Sequence, residues 1–296
     1  MSRMVLASVA SLSAGSETDP GLFTATTYLV AAVAMAFALQ PHDVVARGVW
    51  WAVAALVLIA LVARGAAALT VVRMVCPATV VATIVAWAAH GDAIPCALAT
   101  AAAVLATGLA FSGEVGEAMV QGGAYGAEQR FPLRAPAQLL LPMAVFWALW
   151  CAAIVGAVCA FSDRSIVWGV VLALAAAALS WLLGMRFHRL SRRWLVLVPA
   201  GLVVHDHMVL GETLMLQRPN VALARLALAD TQAADLTGPA AGHAVEVTVR
   251  EMVLAVLPST RENPKGKALH VASFLVAPSR PGRALQAMAA AKLPVA

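Results

Sequence analysis

Six stretches of the chain are apolar and long enough to be read as membrane spans, at residues 22–40, 49–63, 69–89, 93–111, 138–161 and 165–187. A spanning helix takes about 20 mostly apolar residues, because inside hydrocarbon its backbone polar groups must be satisfied within the segment. The second stretch is short, and extending it across Arg64 into GAAAL would lengthen it. Residues 93–111, AIPCALATAAAVLATGLAF, are mostly small and permit close helix packing in lipid, so this span is expected inside the bundle. With 12% charged residues and a mean hydropathy of +0.85, the chain is excluded from the soluble globular class.

Arginine placement orients these spans. With six spans and both ends inside, the short cytoplasmic segments hold Arg3, Arg64, Arg73, Arg130, Arg134, Arg186, Arg189, Arg192 and Arg193, and the outside holds Arg47 and Arg164. That asymmetry predicts a multi-pass protein of the cell membrane with cytoplasmic N- and C-termini. Glu17 and Asp19 precede the first run, so no cleaved signal peptide is expected and the first span serves as its own anchor. The expected organisation is a cytoplasmic N-terminal segment (1–21), a six-helix membrane domain (22–187) with a cytoplasmic loop at 112–137, and a cytoplasmic domain (188–296).

From about Trp194 alternation replaces the long apolar runs. WLVLVPAGLVVHD reads as two strands around a Pro-Ala-Gly turn, and TLMLQRPNVALARL, AVEVTVR, MVLAVL and ALHVASFLVA read as further strands bounded by Gly, Pro, Asn or charge. SRPGRALQAMAAAKL then places Leu285, Met288, Ala289 and Leu293 on one helical face. The expected fold is an α-helical membrane bundle followed by a small antiparallel β-barrel or sandwich closed by a C-terminal helix.

This order of elements, with the opening strands RWLVLVPAGLVVHD and the closing passage FLVAPSRPGRALQAM, resembles the pleckstrin-homology-like (PH-like) domains of bacterial membrane proteins. Together with the loop GGAYGAEQRFPLRAP and the six spans, it is similar to a group of uncharacterised actinobacterial integral membrane proteins. The preference for 17 arginines over 3 lysines suits a GC-rich genome of that kind. The resemblance implies location and architecture, and it implies no catalytic residues.

Residues 186–296 carry a net charge of +6, against −1 for residues 1–185. Within RFHRLSRRW, Arg186, Arg189, Arg192 and Arg193 are candidate contacts for anionic phospholipid headgroups, and Trp194 suits the interface; the bland reading is a flank that fixes orientation. A nucleic-acid partner is not expected, since no aromatic-rich basic strand or recognition helix is visible.

Candidate chemistry is sparse. Cys76, Cys96, Cys151 and Cys159 lie in apolar spans without a CxxC pair and read as structural thiols. His205 and His207 share a strand face beside Asp206, yet a third ligand is not apparent, and neither a metal nor a cofactor is expected. His90 and Asp92 fall in a tight outer turn. Arg73 is costly within an apolar span; one turn inside it, the side chain snorkels to the cytoplasmic surface, and pairing with Glu114 or Glu117 is the alternative. Pro77 is expected to bend that span and free a backbone carbonyl.

The polar loop begins GEVGEAMVQ, where Glu114, Glu117 and Gln121 share one helical face opposite Val115, Met119 and Val120. Gly122, Gly123 and Gly126 then permit turns. Arg73, Glu114 and Glu117 are thus the candidate polar site, and the loop is expected to dock on the basic C-terminal domain through Glu114, Glu117 and Glu128. The sequence supports a non-enzymatic scaffold or accessory subunit that holds a PH-like domain at the inner leaflet for a lipid or a cell-envelope protein partner. The alternative is a small transporter or lipid-handling membrane protein.

Overall fold

A computed structural model describes residues 20–38, 44–90, 93–259 and 266–296, and each expected span falls on a helix. In chain order the helices are α1 (Pro20–Ala38), α2 (Val44–Ala63), α3 (Ala66–His90), α4 (Ala93–Phe111), the short α5 (Gly113–Gln121), α6 (Ala137–Ser162) and α7 (Ile166–Ser191). Among the described residues, α2, α3, α4, α6 and α7 are long and apolar enough to cross a membrane. Residues 1–19 and Gln40, the expected end of the first span, lie outside the described residues.

One expectation about the spans needs correction. The second span does not continue across Arg64: Arg64 has φ 43° and Gly65 φ 126°, values at which a right-handed helix stops. The AAAL run therefore opens α3, and α2 gains its length at its other end, from Val44. α4, expected inside the bundle, packs into it along one face. It buries a stripe of Cys96, Ala99, Ala102, Ala103, Ala106 and Ala110 but leaves Leu98, Val104 and Leu105 facing outward. α3 is buried over 50% of its apolar stretch against 33% for α4, because it touches each of the other six helices. Pro77 leaves the Arg73 carbonyl without its helical donor, and one residue on, the Trp147 indole of α6 donates to the Met74 carbonyl at 2.9 Å.

The C-terminal region is two facing four-stranded sheets. One has the order β1-β2-β3-β4, from Gln129–Pro132, Trp194–Val198, Gly201–His205 and Leu214–Gln217, all antiparallel. The other has the order β5-β7-β8-β6, from Val221–Leu226, Val245–Leu257, Lys267–Val276 and Ala234–Asp235, with β6 parallel to β8. Leu195, Leu197, Leu202, Val204 and Leu216 from the first sheet meet Val221, Val247, Phe274 and Val276 from the second in one core. Among the described residues the sheets stay open, so they form a sandwich and no closed barrel.

Local chemistry explains the corners. β2 and β3 flank the expected Pro-Ala-Gly turn, and at Gly201 a Cβ would sit 1.9 Å from the Leu216 carbonyl oxygen, so the close approach of β4 requires glycine. A 3₁₀ turn, Arg218–Asn220, splits TLMLQRPNVALARL into β4 and β5, which belong to different sheets. AVEVTVR and MVLAVL, expected as separate strands, form one 13-residue β7 whose register shifts between Thr248 and Val253. The C-terminal helix α8 (Pro281–Ala290) buries Ala284, Leu285 and Met288, while Ala289, expected on that face, is exposed. Beyond it Val295 bridges to Ala224 and covers the outer edge of β5.

Candidate functional site at the seam of bundle and sheets

Strand β1 comes from the loop between α4 and α6, yet it is the first strand of the sheet that α7 leads into. The segment expected as a membrane-domain loop is thus part of the sheet domain, which two separate exits from the bundle build. Phe131 of β1 is buried in the sheet core opposite Leu195, and Leu133 bridges to Pro278. The Ser279 amide donates to the Pro132 carbonyl at 2.8 Å, and the Arg134 amide donates to that of Ala277 at 2.9 Å.

Ahead of β1, α5 lies between bundle and sheets. Ser112 caps it, its hydroxyl accepting from the Val115 amide at 3.2 Å. Val115, Met119 and Val120 pack into the bundle core, and the carboxylates occupy the opposite face, as the helical period requires. Glu117 meets Arg280 at 3.4 Å and Arg283 at 3.3 Å, and Glu114 meets Arg280 at 3.4 Å. Gly113 makes room for this approach, since a Cβ there would lie 2.8 Å from Cγ of Arg280. The partly exposed pairs contribute up to about 1 kcal/mol each, so they register the docking while the strand pairing holds it.

Glu128, expected to face the basic surface, instead folds its own loop. Its carboxylate accepts from the Tyr125 amide at 2.6 Å and pairs with Arg130 at 2.5 Å. Gln121 closes the loop from the other side, donating to the Glu128 carbonyl and accepting from the Arg130 amide, both at 2.9 Å. A polar groove of about 480 Å³ lies along this seam, lined by Glu117, Gln121, Arg130, Phe131, Arg283 and Gln286 among others.

Arg73 lies about two turns inside α3, because the helix starts three residues earlier than expected. It does not pair with Glu114 or Glu117, which are engaged by Arg280 and Arg283. Its Nε donates to the Ala110 carbonyl at 3.3 Å, and its guanidinium stands 5.8 Å from the centre of the Phe111 ring. Ala110 and Phe111 end α4, where carbonyls lack helical donors and the macrodipole is negative, so a guanidinium is held favourably there. Its Nη2 would lie 2.7 Å from a Cβ at Gly116, so the glycine lets α5 close over the arginine.

Arg193 is not a headgroup contact. It is 1% exposed, and its Nε and Nη2 donate to the two oxygens of Asp206 at 2.8 and 2.7 Å. It also donates to the carbonyls of Arg134 at 2.6 Å and Thr237 at 3.1 Å. The reason is strand parity. Arg193 shares the inward face of Leu195 and Leu197, as Asp206 shares that of Val204 and Leu202. That period-two signal was present in the sequence beneath the more conspicuous arginine cluster. Arg186, Arg189 and Arg192 are exposed at the sheet-domain end of α7.

On the opposite face of the same strands a ladder forms. Arg130 stands 5.2 Å from the Trp194 ring centre, Trp194 stacks on His205 at 5.2 Å, and His207 meets His205 edge-on at 4.2 Å. Trp194 also packs against the bundle core. Burial, followed by the nearby charges of His207 and Arg192, pushes the His205 imidazole below its ordinary pKa, with Asp206 opposing. Burial likewise lowers the Arg134 guanidinium. Among the described residues no three His, Cys, Asp or Glu side chains come together to hold a metal ion. Cys76, Cys96 and Cys151 are buried and Cys159 is exposed, while the His90 side chain and Asp92 lie outside the described residues. No protein family, curated protein or solved structure matches the chain.

Proposed function

We propose that this protein is a non-enzymatic membrane scaffold or accessory subunit, holding a PH-like sandwich rigidly at the inner leaflet of the cell membrane for a partner protein. The observation that carries this reading is the double origin of the first sheet, with β1 from the α4–α6 loop and β2 from the end of α7. A domain tethered by one flexible linker samples many orientations, whereas one completed by a strand from the bundle presents a fixed surface. The net positive C-terminal region and the exposed Arg186, Arg189 and Arg192 support placement against anionic phospholipid. Met215, 71% exposed, and Met252, 67% exposed, are adaptable apolar side chains suited to a protein partner.

The test is isolation of the full-length protein from its native membrane in mild detergent, with quantitative mass spectrometry. The reading expects a stoichiometric protein that is lost when Met215 and Met252 are both replaced by Asp. Solute flux through the purified protein in vesicles, with no such partner, would replace the scaffold with a transporter.

A further inference from the structure

The bundle carries an apolar trench of about 400 Å³ between α2, α3 and α6. Its lining comes mostly from the first half of α2, the second half of α3 and the second half of α6, which are the halves remote from the sheet domain. Val75 to Ala89 along α3 is about 21 Å of helix, somewhat more than one leaflet's share, about 15 Å, of a bilayer core. Ala78, Ala82 and Ala86 recur every fourth residue on the wall and leave it open.

Along α3 the wall offers little to water. The Trp50 indole donates to the Ala32 carbonyl at 3.0 Å, the Trp150 indole to the Ser180 hydroxyl at 2.7 Å, and the Thr79 hydroxyl to the Cys76 carbonyl at 2.7 Å. Both indoles and the threonine hydroxyl of the wall are thus satisfied within the bundle, leaving the weakly polar thiols of Cys151 and Cys159, whereas a stable buried water needs two or more polar partners. At the outer end the character changes: Ser162 and Asp163 line the mouth, and Arg164, exposed, follows in the chain. Among the described residues no ion pair engages the Asp163 carboxylate.

We propose that this trench binds one aminophospholipid of the leaflet remote from the sheet domain, with an acyl chain along α3, its ammonium on Asp163 and its phosphate toward Arg164. Length fits the chain, the dry wall fits hydrocarbon, and adjacent opposite charges at headgroup depth fit a zwitterion carrying a primary amine. The inference stands apart from the scaffold reading, because the trench and the sheet domain occupy opposite ends of the bundle.

The full-length protein in vesicles containing equal amounts of phosphatidylethanolamine and phosphatidylglycerol, each with the same mid-chain diazirine acyl group, provides the test. After irradiation, peptide mapping locates the adducts. We expect them on α3 and α6 within the trench, with phosphatidylethanolamine favoured about fivefold, the equivalent of about 1 kcal/mol for one charge at headgroup level. D163N should abolish the preference and keep the trench labelling, while A82W should remove the trench labelling. Thermal melts confirm folding, and A89W, at an exposed position by the mouth, replaces A82W if that variant unfolds. Adducts spread evenly over all lipid-facing helices, or equal labelling by the two lipids in the wild type, would overturn the proposal and leave only annular lipid.

Discussion

Arg193 and Asp206 form a two-pronged ion pair almost wholly removed from solvent, joining the point where α7 enters the sheet to the end of β3. Through the carbonyls of Arg134 and Thr237 the same guanidinium also reaches the segment after β1 and the segment after β6. Four stretches distant in sequence converge on one cation. The bond geometry satisfies both carboxylate oxygens, which is what makes a buried charge tolerable.

Removing one member should therefore be costly. R193A or D206A leaves a buried charge without its partner and is expected to destabilise the sheet domain by about 3–5 kcal/mol, lowering its melting temperature by more than about 10 °C. R192A, one residue away and exposed, should leave it unchanged. Replacing the pair together by Met and Leu should recover most of the loss. Intrinsic fluorescence melts of the full-length variants make the comparison, and a single-residue loss under about 1 kcal/mol would contradict this account of the pair.

The docking of α5 admits a charge-reversal test. E117R should raise hydrogen exchange in α8 and α5, because it faces two arginines, Arg280 and Arg283, at contact distance. Adding R283E should restore much of the wild-type exchange pattern, while Arg280 is kept because it also pairs with Glu114. The change in stability stays near 1 kcal/mol per pair, since these groups are partly exposed. Restoration failing in the double variant E117R/R283E would mean that the contacts are incidental to docking.

G201A should be among the most damaging substitutions in the sheets. The added methyl carbon meets the Leu216 carbonyl oxygen at 1.9 Å, and backbone on both sides must move to relieve it. A loss above about 2 kcal/mol is expected, with β4 pairing affected first. G282A, where a Cβ meets nothing within 4 Å, is the control and should be near neutral.

The bundle was largely legible in the sequence because a run of about 20 apolar residues has few structural options. Helix ends were less so: the Arg64–Gly65 break depends on φ values that residue type only permits, which is why GAAAL was open to assignment with either helix. β1 was harder, because QRFP has four residues and its partner β2 lies two spans away in the chain, so no local period announces it. The carboxylate face of α5 was readable from spacing, but its partners Arg280 and Arg283 follow from the tertiary fold. Arg193 shows the opposite failure. Alternation with Leu195 and Leu197 marked it as inward-facing, while its neighbours Arg189 and Arg192 suggested a membrane role.

Acidification should loosen the sheet domain through His205. Its folded pKa is below the ordinary value near 6.5, so between the two the unfolded chain binds more protons, and stability rises with pH through that interval. The contribution is complete above about pH 6.5 and is lost as pH falls through the folded pKa. His207, Arg192 and Arg130 reinforce the direction and Asp206 opposes it. Melting temperatures at pH 5 and pH 7.5 should differ more in the wild type than in H205Q, and an equal slope would assign the pH dependence elsewhere.

Arg73 and Gly116 should behave as a coupled pair. R73M removes the donor to the Ala110 carbonyl and the cation at the end of α4, an expected loss of about 1–2 kcal/mol with faster exchange in α5. G116A costs stability chiefly because its methyl group approaches Nη2 of Arg73, so it should displace the arginine and mimic R73M. Once Arg73 is gone, that methyl group has room. The double variant should accordingly cost less than the two single losses combined, as a double-mutant cycle on melting free energies measures. Strict additivity would show that Gly116 is needed for the α5 backbone itself, and that Arg73 closes α4 without positioning α5.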